Sequence, residues 1–351
     1  MVEQLDLLNL QEKKSLSVVE LFAGAGGLAL GLEQAGFEAK ALVEIDKWAV
    51  KTLRSNRPEW NVIERDIQKV SKDGIRKYLL NPNDDIDLLS GGYPCQSFSY
   101  AGNRLGIEDT RGTLFYDFAK ILDELRPRVF LAENVKGLVS HDKGRTLNIM
   151  LEVFKAVGYD VSYKVLNALD YGVAQKRQRV IIVGVRHDVK SALKKDYEFP
   201  RPYKKHLVLR DVLQNVPYSE CAKYNDKKKE VLKYVKPGGC WKDLPDAIAR
   251  EYMKSSYFMG GGKTGIARRL SWDEPGLTVL CAPAQKQTER CHPDELRPFS
   301  IRENARIQSF PDDWNFEGSV SEKYKQIGNA VPVNLAKEVG LSIKRYLNNE
   351  L

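Results

Sequence analysis

Through its first half the chain alternates short apolar runs with stretches of helical periodicity, and that alternation admits few folds. Val18-Val-Glu-Leu-Phe22 reads as a strand, followed by a glycine turn and a helix with Leu28, Leu32 and Ala35 on one face until Gly36 stops it. Further strands are expected at 41–44, in a short run ending near Asp66, at 86–89 and at 129–132, with helices at 48–54 and 114–125 between them. A βαβα rhythm favours a parallel sheet with helices on both faces. The expected class is α/β, a doubly wound and mostly parallel sheet whose ligands sit outside the carboxyl ends of the strands.

With 351 residues, 42% of them hydrophobic and 29% charged, the chain has the composition of an ordinary globular protein and the length of about two domains. The longest apolar run, Val180-Ile-Ile-Val-Gly-Val185, is a strand's length, far below the roughly 18 residues of a membrane helix. The first residues lack the basic end and cleavage site of a signal peptide, so a cytoplasmic protein with no membrane partner is expected. Cysteines 95, 221, 240, 281 and 291 form no CxxC pair, which argues for reduced thiols and against a bound metal.

The net charge of +8 is unevenly spread: residues 188–270 hold 19 Lys and Arg against 10 Asp and Glu, and the remainder is close to neutral. One region thus suits a polyanion, although a solvated lysine-rich surface explains the same charge. Beyond Val185 the strand and helix rhythm dissolves, and Lys227-Lys-Lys229 and Gly260-Gly-Gly262 read as loops. Order returns in a helix over 301–309 and a last helix over 332–347, which follows a loop at 326–330.

Several residues of chemical interest fall at the expected strand ends. Gly24-Ala-Gly-Gly27 lets a ligand approach the backbone beside helix-start amides, although a tight structural turn explains such a cluster equally well. Glu44 lies 20 residues after Gly24, where a dinucleotide fold places the carboxylate that accepts ribose hydroxyls. Asp66 is either an acceptor for an adenine amino group or a helix cap. Cys95, behind Pro94 and two glycines, sits where a nucleophile is presented, or else is a small buried hydrophobe. Glu133 follows the fifth strand, and Arg177 and Arg179 enter the next with their side chains on one face.

Taken in order, Glu20-Leu-Phe-Ala-Gly-Ala-Gly-Gly27, Gly92-Tyr-Pro-Cys-Gln96, Glu133-Asn-Val135, Gln175-Lys-Arg-Gln-Arg179, Arg302-Glu-Asn-Ala-Arg-Ile-Gln-Ser-Phe-Pro311 and Gln326-Ile-Gly-Asn-Ala-Val-Pro332 resemble the signature motifs of the DNA (cytosine-5) methyltransferases of bacterial restriction-modification systems. The resemblance spans residues 18 to 340 and leaves unmatched only the basic stretch before Arg297, the family's variable target-recognition region.

The resemblance implies an S-adenosylmethionine pocket lined by Phe22, Ala23, Gly24, Gly26, Gly27, Pro94, Leu114, Asn329 and Val331. Within it Glu44 would hold the ribose, and Asp66 and Ile67 would meet the adenine. Ile45 stands where many members carry an aromatic residue, and Glu20 where Asp is common. Cys95 would be the nucleophile on C6 of cytosine, Glu133 the group at N3 and the exocyclic amine, and Arg177 with Arg179 a clamp on substrate and the Cys95 loop.

By the same resemblance, residues 1–200 and 320–351 form a catalytic domain, and residues 201–319 a target-recognition domain and hinge. The implied reaction is methylation of C5 of a flipped-out cytosine in a specific duplex DNA sequence, leaving S-adenosylhomocysteine. A monomer is expected, with a companion restriction endonuclease acting separately. A tRNA-cytosine methyltransferase shares the Cys and Glu chemistry, but the long interval between Val185 and Pro293 suits major-groove reading better. A nicotinamide-dependent dehydrogenase would leave Cys95, Glu133 and Arg177 without a task.

Overall fold

The computed structural model describes residues 15–94, 114–258, 265–286 and 289–350. Its centre is a seven-stranded sheet built from β1 (Leu16–Leu21), β2 (Phe37–Glu44), β3 (Val62–Glu64), β4 (Leu88–Gly91), β5 (Val129–Val135), β6 (Tyr159–Asn167) and β8 (Gln178–Arg186), in the order β3-β2-β1-β4-β5-β8-β6. All neighbours are parallel except β8, which runs antiparallel between β5 and β6. The chain goes outward from β1 to β3 and returns to place β4 on the other side of β1. This reversal opens a crevice at the carboxyl ends of β1 and β4.

Side-chain alternation along the strands explains why both faces carry a core. Val19, Leu21, Leu89, Phe130 and Ile182 point to a cluster closed by α3 (Ile67–Asp73), α4 (Leu114–Leu125) and α5 (Arg145–Ala156). Val18, Leu88, Leu131, Ile181 and Val183 point to the opposite cluster, closed by α1 (Gly27–Gln34) and α13 (Val333–Leu347). A Cβ on Gly31 would lie 2.4 Å from the Cβ of Ala336, so α1 and α13 cross closely there. Helix α2 (Lys47–Asn56) belongs to a third cluster, in which Ala29, Leu30 and Leu53 pack with Phe299, Ile301 and Trp314.

The basic segment has its own small core of Leu232, Val235, Met253, Ala267 and Cys291. Lys227-Lys-Lys229 is not a loop: it lies in α8 (Asp226–Leu232), capped by the Asn225 side chain and anchored by buried Val231 and Leu232. The other helices are α6 (His187–Leu193), α7 (Leu209–Val212), α9 (Asp246–Met253), α10 (Ser255–Phe258), α11 (Ile301–Ile307) and α12 (Val320–Asn329). Residues 326–329, expected in a loop, form the last turn of α12, which starts from a Ser319 cap and breaks only at extended Ala330. Gly260-Gly-Gly262 lies outside the described residues. A two-stranded pairing of β7 (Gln175–Lys176) with β9 (Gly276–Leu277) joins the basic segment to the sheet edge just ahead of Arg177. No helix among the described residues is long and apolar enough to cross a membrane.

Candidate active site

The glycine turn after β1 is held in an uncommon conformation. Phe22 takes φ 59° and Gly24 φ 54°, the left-handed region that a residue with a side chain enters at a cost. A Cβ on Gly24 would meet nothing within 4 Å, so this backbone faces open space, whereas one on Gly26 would strike Leu53 and Trp314 at 2.8 and 2.9 Å. Gly24 therefore faces the crevice, and Gly26 serves the packing behind the turn.

At the end of β2, Glu44 accepts from Gly24 N at 2.7 Å with one oxygen, and from Ile45 N and Asp46 N at 2.8 and 2.7 Å with the other. Strand end and glycine turn are thereby locked together. Asp46 caps α2 and pairs with Lys325 at 2.7 Å, closing the mouth from the α12 side. Asp66 caps α3 by accepting from Gln68 N at 2.9 Å; its side chain also borders a cavity.

Two cavities meet at Phe22 and Glu44. One of about 310 Å³ is walled by Ile45, Asp66, Ile67 and Leu114, and so includes Asp66 and Ile67, the two residues expected at an adenine. The other, of about 460 Å³, takes in Ala23, Gly24, Gly27, Pro94, Asn329 and Val331, and reaches Glu133, Arg177 and Arg179. Between them the two cavities border every residue expected in the cofactor pocket except Gly26. The open backbone at Gly24, the carboxylate of Glu44 and the apolar slot at Ile45 and Ile67 suit a nucleoside-bearing ligand such as S-adenosylmethionine.

At the far end of the larger cavity, β5 and β8 bring Glu133 and Arg179 together. Arg179 Nε lies 2.7 Å from Glu133 Oε1, and both side chains are largely buried. Burial pushes the Glu133 carboxyl above the ordinary carboxylate range, against the pull of Arg179 and Arg177. A Cβ on Gly92 would stand 2.9 Å from Glu133 Oε2, so glycine there leaves room for the carboxylate. Asn134 Nδ2 donates to Tyr93 O at 3.0 Å and fixes the backbone two residues before Cys95. Cys95 itself lies outside the described residues; Pro94, its neighbour, is on the cavity wall.

Arg177 is 1% exposed, and its guanidinium donates to Val279 O, Gly328 O and Ala330 O at 3.2, 2.8 and 3.0 Å. It staples the segment after β9 to the wall of the larger cavity, while Arg179 engages the carboxylate. The two arginines that flank Gln178 thus divide the work, one holding backbone and one holding Glu133.

Glu20, noted in the sequence only as part of a motif, also borders the cavity. It is 2% exposed, and burial pushes its pKa up to about 8, with the Ser90 hydroxyl at 3.3 Å offsetting part of the rise. The pairing of Glu20 with Ser90 across β1 and β4 and that of Asp46 with Lys325 are long-range, and no local spacing announces them.

A family model described as C-5 cytosine-specific DNA methylase matches residues 16–345. The chain is 57% identical over 346 residues to the Type II methyltransferase M.Sau96I of Staphylococcus aureus, covering 99% of this chain and 80% of that one. It is 56% identical to the Type II methyltransferase M.Eco47II of Escherichia coli, covering 95% and 79%. Among solved structures it is similar to a DNA modification methyltransferase encoded within an E. coli prophage, with TM-score 0.70, 26% identity and coverage of 95% and 100%. Spodoptera frugiperda DNMT2 shares the fold, with TM-score 0.65 at 19% identity and coverage of 94% and 100%.

Proposed function

Because this chain belongs to the C-5 cytosine-specific DNA methylase family, we propose that it transfers the methyl group of S-adenosylmethionine to C5 of a cytosine flipped out of a specific duplex DNA sequence, through a covalent bond between Cys95 and C6. The observation that carries the reading is the buried Glu133–Arg179 pair. It opens on the same crevice as the glycine turn and stands beside the backbone leading to Cys95.

S-adenosylmethionine, when bound, supplies an electrophilic methyl group. Phe22, Gly24, Glu44, Ile45, Asp66, Ile67, Leu114, Asn329 and Val331 hold it in this reading. Cytosine C5 is a poor nucleophile while the ring is aromatic. The Cys95 thiolate adds to C6, and the electron pair of the C5–C6 double bond moves into the ring, where Glu133 meets the developing charge at N3 with a proton or hydrogen bond. Its raised pKa favours the donor form. C5 is then nucleophilic, and after its methylation loss of the C5 proton and departure of Cys95 restore the ring. Arg179 holds the Glu133 carboxyl in place, and Arg177 fixes the walls around it.

A stacked base cannot enter such a crevice, so flipping costs a few kcal/mol that DNA contacts elsewhere must offset. In this reading the basic residues of 201–319 supply those contacts and choose the site, while 1–200 and 320–351 carry catalysis. The type II names of the relatives suggest a cytoplasmic bacterial setting with a separate companion endonuclease, and the enzyme acts as a monomer. Incubation with tritiated S-adenosylmethionine and either duplex DNA or tRNA tests the reading. Tritium in acid-stable 5-methylcytosine of the duplex is expected; label confined to tRNA would overturn it.

A further inference from the structure

Two arginines of the basic segment stand side by side with donors to spare. A parallel bridge pairs Arg269 with Cys291: Cys291 N donates to Arg268 O at 2.9 Å, and Leu270 N to Cys291 O at 3.0 Å. One residue back on each side, Arg268 and Arg290 are therefore neighbours, and extended backbone sends their side chains to the same face. Like charges opposed in this way repel unless an acceptor lies between them.

Nearby cations are engaged by the protein itself. Arg269 donates to Pro293 O and Val235 O, Arg297 pairs with Glu295 and Glu303, and Lys228 pairs with Glu289. In contrast, Arg268 has a loose ion pair with Glu274 at 3.5 Å, and Arg290 donates to its own neighbour, Glu289 O, at 2.7 Å. Among the described residues the Nε atoms of both have no hydrogen-bond partner, and both atoms are buried. The donors left over are on the terminal nitrogens, where Arg268 has only the loose Glu274 contact and Arg290 only Glu289 O, and such a pair on one face points to an acceptor that comes from outside.

Their position says which acceptor. Arg290 lines a narrow apolar cleft with Leu277, Val279 and Leu280. Val279 O is held by Arg177, and Cys281 Sγ donates to Asn329 Oδ1 at 3.1 Å, so this cleft adjoins the active-site wall. In the methyltransferase reading, DNA with its cytosine at Glu133 lies near this cleft. Phosphates are met mainly by exposed side chains that reach outward, whereas the Arg268 side chain is 18% exposed and both guanidinium groups have buried stems.

We propose that Arg268 and Arg290 read a guanine of the recognition sequence, presenting N–H donors to its O6 and N7 in the major groove. The assignment rests on the methyltransferase reading above and adds to it the residues that choose the base.

The full-length protein is tested on duplexes randomised around the target cytosine, with methylated contexts read by bisulfite sequencing. Arg268→Ala and Arg290→Ala should each lose discrimination at one guanine by tenfold or more. Arg268→Lys and Arg290→Lys should lose it too, because lysine keeps the charge without the planar fork, and they cover the case in which an alanine variant does not fold. Unchanged context preference in the lysine variants overturns the proposal. So does a flatter salt dependence of DNA binding with preference intact, the mark of a phosphate contact. If the wild type methylates no duplex at all, the activity reading falls first and this assignment with it.

Discussion

Arg179 Nε sits 2.7 Å from Glu133 Oε1, with each side chain only 13% exposed, so neither charge has water to fall back on. Removing one partner of such a pair leaves the other buried and uncompensated, at a cost of about 3–5 kcal/mol. Arg179→Ala should lower the thermal midpoint, and more at pH 8 than at pH 5, where the orphaned carboxyl can be protonated. Glu133→Gln keeps an acceptor oxygen for Arg179 and should lose less stability than Arg179→Ala, while methylation falls by about 10²–10⁴. Calorimetry and single-turnover methylation read the two effects. An Arg179→Ala deficit that is equal at both pH values would count against the buried pair.

Gly92 bears on the same carboxylate from the other side. An alanine Cβ would come within 2.9 Å of Glu133 Oε2. Gly92→Ala should therefore displace the carboxylate and slow methylation at least tenfold while S-adenosylmethionine affinity changes little. Measured kcat and cofactor Kd separate these effects, and a wild-type kcat would mean that the carboxylate has room to move.

Glu20 gives the protein a pH-dependent stability term. Its pKa is raised from 4.5 to about 8, so the folded state binds more protons than the unfolded one across that window. The contribution is fully present below pH 4.5 and is lost as pH rises through 8, with a slope of up to about 1.4 kcal/mol per pH unit. Relative to Glu20→Gln, the wild type should lose stability steadily between pH 5 and 9 in chemical denaturation. Parallel curves for the two proteins would contradict the burial of a titrating carboxyl.

Lys228 differs from its neighbours in the lysine run. Its Nζ lies 2.8 Å from Glu289, whose side chain is fully buried, while Lys227 and Lys229 lie on the exposed side of the helix. Lys228→Ala should destabilise the basic segment and leave the slope of log K for DNA against log salt unchanged. A slope reduced by about 0.9 would instead make Lys228 a phosphate contact.

The parts of the site that were legible in the sequence are those carried by short contiguous segments at strand ends: the glycine turn, Glu44, Glu133 and the Arg177–Arg179 pair. Strands β1 and β5 and the second half of β2, 41–44, announce themselves because they are buried on both faces and read as largely apolar runs. Strand β6 lies at the sheet edge with several exposed residues, and its Asp160, Ser162 and Lys164 mask the pattern. The antiparallel placement of β8 is a matter of long-range pairing that no local signal encodes. Charge hid helix α8, and Gly328-Asn329 hid the end of α12, because both resemble loop sequence when the apolar residues beneath them are read alone. Arg177's three carbonyl partners lie 102 to 153 residues away, beyond any spacing argument.

The central claim is that Cys95 bonds to C6 of the cytosine that Glu133 engages. A duplex carrying 5-fluorocytosine at the target tests it, since fluorine cannot leave C5 as a proton does and the covalent complex is trapped. With S-adenosylmethionine present, the wild type should form a complex that survives denaturing electrophoresis and whose DNA-bearing peptide contains Cys95, and Cys95→Ser should form none. A wild type that methylates ordinary duplex yet forms no adduct, or a Cys95→Ser variant that still does, would contradict the account.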